Sequence, residues 1–210
     1  KSGKLYLYEI IGKETYILDS AIVNSGTFQF KPKNYIKGFY KLAFNNETNG
    51  VEIVLNPNEG SVLNITFNEY RLSRNYSVLN SSDNTAKKLH NDKKSVIDRK
   101  INQVKRDAAK SVDVRRSEVK KLNNEMEAFS LKLSKDYPGT YTSMVLAKTK
   151  PVNMQNPNLF FDDINFNDES IIRSNLIPNR IQQYMVSHVK YDPKNNKYAF
   201  YDAVDFIMDK

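Results

Sequence analysis

The chain has 210 residues, a formal net charge of +8, 40% hydrophobic residues, 13 Tyr, 11 Phe, seven Gly and no Cys or Trp. Without Cys, a structural disulfide, a thiolate metal site and a Cys nucleophile are all excluded within these residues. The apolar content excludes disorder over the whole length, and no apolar run approaches the roughly 20 residues that span a bilayer.

The first residue is Lys1, and no charged-then-apolar leader precedes the first apolar run, as expected of a processed or a trimmed chain; a removed export signal is compatible with this and is not visible in the sequence. Residues 4–79 read as short β-strands. Leu5 and Leu7 alternate with Tyr6 and Tyr8 up to Ile11, and Tyr16-Ile17-Leu18 follows the turn-like Gly12-Lys13-Glu14. Ala21-Ile22-Val23 and Thr27–Phe30 flank Asn24-Ser25-Gly26, a hairpin signal in which Gly26 is free to take positive φ. Phe28 and Phe30 are expected on one face of that strand. Further strands are predicted at Tyr40–Phe44, Val51–Leu55, Val62–Phe67 and Tyr76–Leu79, separated by polar, Asn-rich turns. Short strands at this spacing predict an antiparallel sandwich or open barrel.

From Ser81 to Tyr137 there is neither Pro nor Gly, and apolar residues recur at helical spacing: Ile97, Ile101, Val104 and Ala108, then Val119, Leu122, Met126, Phe129 and Leu133. Ser82 or Asp83 is the expected N-cap. One unbroken helix would be about 80 Å long at ~1.5 Å per residue, so a helical hairpin broken near Ser111–Asp113 is preferred. Net charge is +2 over residues 1–80, +6 over 81–137 and zero over 138–210. The basic stretch interleaves acids, predicting the pairs Asp83/Lys87, Asp107/Lys110, Asp113/Arg116 and Glu118/Lys121. A solvated helix face is the simplest account of that charge. Nucleic-acid binding is disfavoured, because no aromatic that could stack on bases occurs in the basic stretch before Phe129. Beyond Pro138-Gly139, short helices are predicted at Thr142–Lys148, from an Asn167 cap through Ile172, after Pro178 (with Ile181, Tyr184, Met185 and His188), and over Tyr198–Met208, with a connector at 151–160. The fold class is therefore α+β: an N-terminal antiparallel β-sandwich domain (1–80) followed by an all-helical domain (81–210) containing a long helical hairpin.

Residue chemistry alone marks no reaction centre. His90 has no carboxylate at i+3 or i+4, and His188 has a single one, Asp192 at i+4, too few for a zinc set. Asp162-Asp163 and Asp168-Glu169 lie in a glycine-free region with no calcium loop, and helix-start electrostatics account for the second pair. None of the phosphate-loop, dinucleotide, nucleophile-elbow or zinc-helix motifs occurs. Four glycosylation-type sequons, at Asn46, Asn64, Asn75 and Asn80, are expected by chance in an Asn-rich chain. No catalytic, cofactor-binding or metal-binding residue is assigned, and no cofactor is expected.

Several segments together resemble a known family. They are Leu18-Asp19-Ser20 through Gly26-Thr27-Phe28-Gln29-Phe30, then Tyr40-Lys41-Leu42, Val54–Gly60 and Val78–Asn84. Tyr137-Pro138-Gly139-Thr140-Tyr141-Thr142-Ser143, Phe160–Asn167 and Ile177–Tyr184 complete the set. Their order resembles the N-terminal region of thioredoxin-like thiol:disulfide interchange proteins, cell-envelope lipoproteins of certain Gram-negative bacteria. Those begin with a β-sandwich domain of unknown function, continue through a helical domain and end in a thioredoxin fold. No Cys-x-x-Cys lies within these residues, so no catalytic residue carries over. The resemblance implies an exported accessory region of a periplasmic or outer-membrane lipoprotein, positioning or dimerising a thioredoxin domain. Its expected partners are that domain or a client protein, with homodimerisation also compatible. No nucleic-acid partner is expected, and membrane attachment is expected only through a lipid anchor outside these residues. The alternative expectation is a stand-alone binding lipoprotein for a ligand or partner protein.

Overall fold

A computed structural model describes residues 3–31, 34–44, 50–59, 62–68, 72, 76–149, 159–188 and 196–209, with only the backbone described at 188 and 196–199. Four strands form an antiparallel sheet: β1 (Gly3–Ile11), β2 (Glu14–Val23), β3 (Gly38–Phe44) and β4 (Gly50–Leu55), in the order β2-β1-β3-β4. β5 (Asn64–Phe67) and β6 (Tyr76–Leu79) form a separate two-stranded ribbon. Thus the second layer of the expected sandwich is, among the described residues, a ribbon. The α+β class and the antiparallel N-terminal sheet are both present.

Alternation along the strands gives the sheet two apolar faces. Leu5 and Leu7, Tyr40 and Leu42, and Val51 and Ile53 face the ribbon, where they form one core with Val23, Leu72 and Tyr76. Ile10, Phe39 and Val54 face the opposite way and meet Tyr141 and Val145 from the helices. β2 is longer than the two short strands read from sequence. It runs through Leu18, where the register slips between Leu7 and Tyr8, so the extra residue is absorbed as a bulge.

The predicted hairpin turn after Val23 is present. Ser25 and Gly26 both have positive φ (51° and 79°), and Asn24 and Thr27 exchange backbone hydrogen bonds of 2.9 Å. The strand predicted at Thr27–Phe30 is not formed; only the isolated bridge from Asn24 to Thr27 remains. Phe28 and Phe30 nonetheless pack together on the ribbon-side core, their ring centroids 5.7 Å apart.

α1 (Ser82–Arg106) and α2 (Val112–Asp136) form the expected hairpin, with the break at 107–111. Ala108, expected on the apolar seam, falls in that connection. The N-cap of α1 is Ser81, not Ser82 or Asp83: its hydroxyl oxygen accepts from the Asn84 N–H at 3.1 Å. Of the expected ion pairs, Asp107–Lys110 (3.6 Å) and Asp113–Arg116 (3.8 Å) are present. Asp83 and Lys87 do not pair: Lys87 reaches Glu52 on β4 at 2.7 Å, its ammonium 3.9 Å from the Phe39 ring centroid. Glu118 takes Lys110 across the hairpin at 2.7 Å instead of Lys121.

α3 (Tyr141–Lys148) is capped by Thr140. A 3-10 helix (Glu169–Arg173) is capped by Asp168, in place of the expected Asn167. α4 (Leu176–His188) carries Pro178 in its first turn, and α5 (Asn196–Met208) closes the described chain. Most of the connector expected at 151–160 lies outside the described residues. Phe160, Phe161, Ile164, Ile171, Leu176, Tyr184 and Ala203 make the last core.

The 3-10 helix meets the end of the sheet. Arg173 donates to Glu9 on β1 and lies over the Tyr40 ring, and the Gly12 N–H donates to Ile172 O at 2.7 Å. Gly38 is required by this approach, since a Cβ there would sit 2.3 Å from Arg173 Cβ.

Candidate functional site

The ribbon packs on the sheet face but does not fill all the space beside it. Between them lies a cleft of about 1100 Å³, its floor made by Leu7, Ala21, Leu42 and Ile53. These four are buried, and strand alternation points them one way. The opposite wall is Phe28 and Phe30 from the loop after β2, with Leu63 and Ile65 from the ribbon.

Each wall is pinned by a short polar side chain. Asp19 accepts from the Ser20 N–H (2.7 Å) and, twelve residues on, from the Lys31 N–H (3.2 Å), which returns the loop to β2. Phe28 then stacks on Phe67 at 5.3 Å between ring centroids, tying loop to ribbon. Asn80 takes left-handed backbone (φ 55°), donates to Val62 O at 2.6 Å and accepts from the Asn64 N–H at 3.3 Å. The polar groups at the cleft are amides and hydroxyls together with Lys31 and Glu59.

Glu59 belongs to a buried polar knot joining β4, α1 and α3. Its carboxylate accepts from the Ser81 hydroxyl and from the Asp83 N–H (2.8 Å). Asp83 in turn accepts from Asn56 Nδ2 (2.9 Å) and from the Thr142 N–H (3.0 Å). Burial raises the Asp83 pKa above the usual carboxylate value, against the lowering effect of the Thr142 and Asn56 donors. Asn84 Oδ1 accepts from the Val54 N–H and its Nδ2 donates to Val54 O, both at 2.8 Å. The knot is scaffold: both Glu59 oxygens are engaged within it, and neither is presented to the cleft as a free base.

The residues weighed in sequence as chemical groups are scattered. His90 is half-buried on α1; burial foremost, then Lys87, pushes its pKa down to about 4. The His188 side chain lies outside the described residues. Asp163 binds Arg180 through both carboxylate oxygens, at 2.9 and 3.0 Å, and that guanidinium also donates to Phe160 O (2.6 Å) and Lys148 O (2.5 Å). Asp168 caps its 3-10 helix, accepting from Ser170 N–H at 3.0 Å, in line with a helix-start role. Among the described residues no group of three or more His, Asp or Glu could hold a metal ion, and no described helix is long and apolar enough to cross a membrane. Sequons at Asn46 and Asn75 lie outside the described residues, while the Asn80 amide bonds Val62 and Asn64 at the end of the ribbon away from its turn. The cleft itself was missed in sequence, because its floor reads as ordinary core. The one available signal was the unpaired Phe28-Gln29-Phe30 segment.

Comparison with protein-family models, with curated proteins and with solved structures finds no match for this chain. The residues that carry the resemblance have structural work of their own: Phe161, Ile164 and Tyr184 build the last core, and Arg180 clamps it.

Proposed function

We propose that the chain is a non-catalytic binding module of the cell envelope, the accessory region of a thioredoxin-like thiol:disulfide oxidoreductase-type lipoprotein. The observation that carries this reading is the apolar-floored cleft of about 1100 Å³ between sheet and ribbon. Sites of this size and lining bind apolar groups, oriented by a few polar atoms at the rim. Phe28, Phe30, Leu63 and Ile65 offer partly exposed apolar walls above a buried base of Leu7, Leu42 and Ile53, and the amides around them suit the backbone of an extended chain. The family resemblance adds the setting: an extended, reduced client segment would be held here for a thioredoxin domain to act on.

The test is amide and methyl NMR of the chain titrated with a reduced, unfolded Cys-containing polypeptide. Saturable shifts at Leu7, Ala21, Phe28, Leu42 and Ile53, abolished by Ala21→Phe, support the reading. Shifts elsewhere only, or none, overturn it. The cleft volume also favours a second reading, a stand-alone lipoprotein that takes one small apolar ligand. In that case the unfolded polypeptide leaves the spectrum unchanged, and a small apolar probe such as anilinonaphthalene sulfonate produces the cleft shifts.

A further inference from the structure

The charge of this protein is concentrated at one end of the molecule. Residues 99–121 hold nine Lys and Arg against three Asp and Glu, a net +6 of the total +8. They form the tip of the α1–α2 hairpin. The roots of both helices are fixed at the sheet, through Asp83, Asn84 and Lys87 at one end and the Tyr137–Thr140 turn into α3 at the other. A helix of 25 residues rises about 37 Å at ~1.5 Å per residue, so the tip stands well clear of the sheet.

At the tip, Lys105, Arg115, Arg116 and Lys120 surround Val112 and Val119 in a groove of about 420 Å³. Lys105 and Lys120 have no carboxylate partner among the described residues, and Arg116 is only loosely held by Asp113, at 3.8 Å. Val112, in that groove, and Val114, on the opposite side of the first turn of α2, are 52% and 45% exposed. Between Ser81 and Ala128 there is no Phe, Tyr or Trp. The tip therefore has cations for phosphates and aliphatic side chains for an acyl boundary, but no ring on which a base could stack.

We propose that the hairpin tip docks on an anionic phospholipid surface, with Lys105, Arg115, Arg116 and Lys120 meeting headgroup phosphates and Val112 and Val114 entering the interface. Charge complementarity selects this occupant; a second copy of the chain would bring like charge to like. The contact places the cleft of the sheet domain at a distance from the bilayer set by the hairpin length. It works beside any lipid anchor and does not depend on the reading of the cleft.

The experiment is sedimentation of the whole chain with vesicles of phosphatidylcholine alone, or of phosphatidylcholine containing phosphatidylglycerol, over a salt series. Expected is binding to the anionic vesicles only, weakening as salt rises. Each cation removed lowers the partition coefficient about fivefold, so Lys105→Gln with Lys120→Gln lowers it about 25-fold. Val112→Ser with Val114→Ser lowers it severalfold at unchanged net charge. All four residues are exposed, and far-ultraviolet circular dichroism checks that the hairpin stays helical. Equal binding to both vesicle types, no binding, or anionic binding untouched by both double variants overturns the proposal. So does duplex DNA that outcompetes the anionic vesicles at equal phosphate concentration.

Discussion

The side chain of Asn84 completes the edge of β4 as a neighbouring strand would, hydrogen-bonding the N–H and the C=O of Val54 at 2.8 Å each. An amide offers one acceptor and one donor in this fork without any change of protonation. Asn84→Ala leaves both Val54 groups buried and unpaired, and is expected to destabilise the fold by about 2–4 kcal/mol. Asn84→Asp keeps the acceptor but sets an oxygen against Val54 O, and is expected to be nearly as harmful. Urea midpoints measure both, and a loss below about 0.5 kcal/mol for either would refute the strand-edge role.

Asp83 and Asn56 are a directional pair. Burial disfavours the ionised form of Asp83 while the Thr142 and Asn56 donors favour it, and the site uses both of its oxygens as acceptors. Asp83→Asn places an NH2 against either Asn56 Nδ2 or the Thr142 N–H, an expected loss of about 1–3 kcal/mol. Adding Asn56→Asp restores an acceptor opposite the new donor, and should recover half or more of that loss. Strict additivity of the two substitutions would show that they do not interact.

His90 makes stability fall in mild acid. Its ordinary pKa is 6.5, and in the fold it is pushed down to about 4 by burial and by Lys87. The unfolded chain therefore takes up this proton first as the pH drops. The contribution is fully present above about pH 6.5, is lost between about 6.5 and 4, and is constant below. At ~1.4 kcal/mol per unit this amounts to some 2–3 kcal/mol. The difference in urea midpoint between wild type and His90→Gln should narrow or reverse over that window, and a constant difference would contradict the assignment.

Arg180 is 2% exposed and holds Asp163, Phe160 O and Lys148 O together. Lysine keeps the charge but cannot reproduce the planar fork. Arg180→Lys is expected to lower stability by about 2 kcal/mol, and Arg180→Ala by more, because the Phe160 and Lys148 carbonyls lose their donor and the buried side chain leaves a cavity, while the exposed Asp163 is solvated. Thermal melts rank the two; equal stability of Arg180→Lys and wild type would mean that the fork is not used.

Much of the fold was legible because its signals are local. β6 matches its predicted bounds, the helical hairpin follows from the spacing of Ile97, Ile101, Val104, Val119 and Leu122, and the turn at Ser25-Gly26 follows from residues that tolerate positive φ. What failed was settled at long range. Ser81, Ser82 and Asp83 are equally good caps on local chemistry, and Glu59, more than twenty residues earlier, decides among them by gripping Ser81 and the Asp83 N–H. Lys87 abandons Asp83 for Glu52 and Phe39, which only the folded chain brings near. Phe28 and Phe30 alternate as in a strand but have no neighbour to pair with, so they become a wall of the cleft. Nothing in the residue order marks the space left between sheet and ribbon; that depends on how far the short ribbon reaches.

The far face of the sheet carries a consequence for how the protein is made. Ile10, Phe39 and Val54 wait for Tyr141 and Val145, which leave the ribosome roughly a hundred residues after Phe39. Through all of that synthesis the nascent strands hold an oily surface with no lid, and until Asn84 follows some thirty residues after Val54 the rim of β4 is open as well. Maturation of the strands and of the helices is thus one late event, and an interruption before the third helix would yield a sticky, self-associating intermediate in place of a smaller working domain.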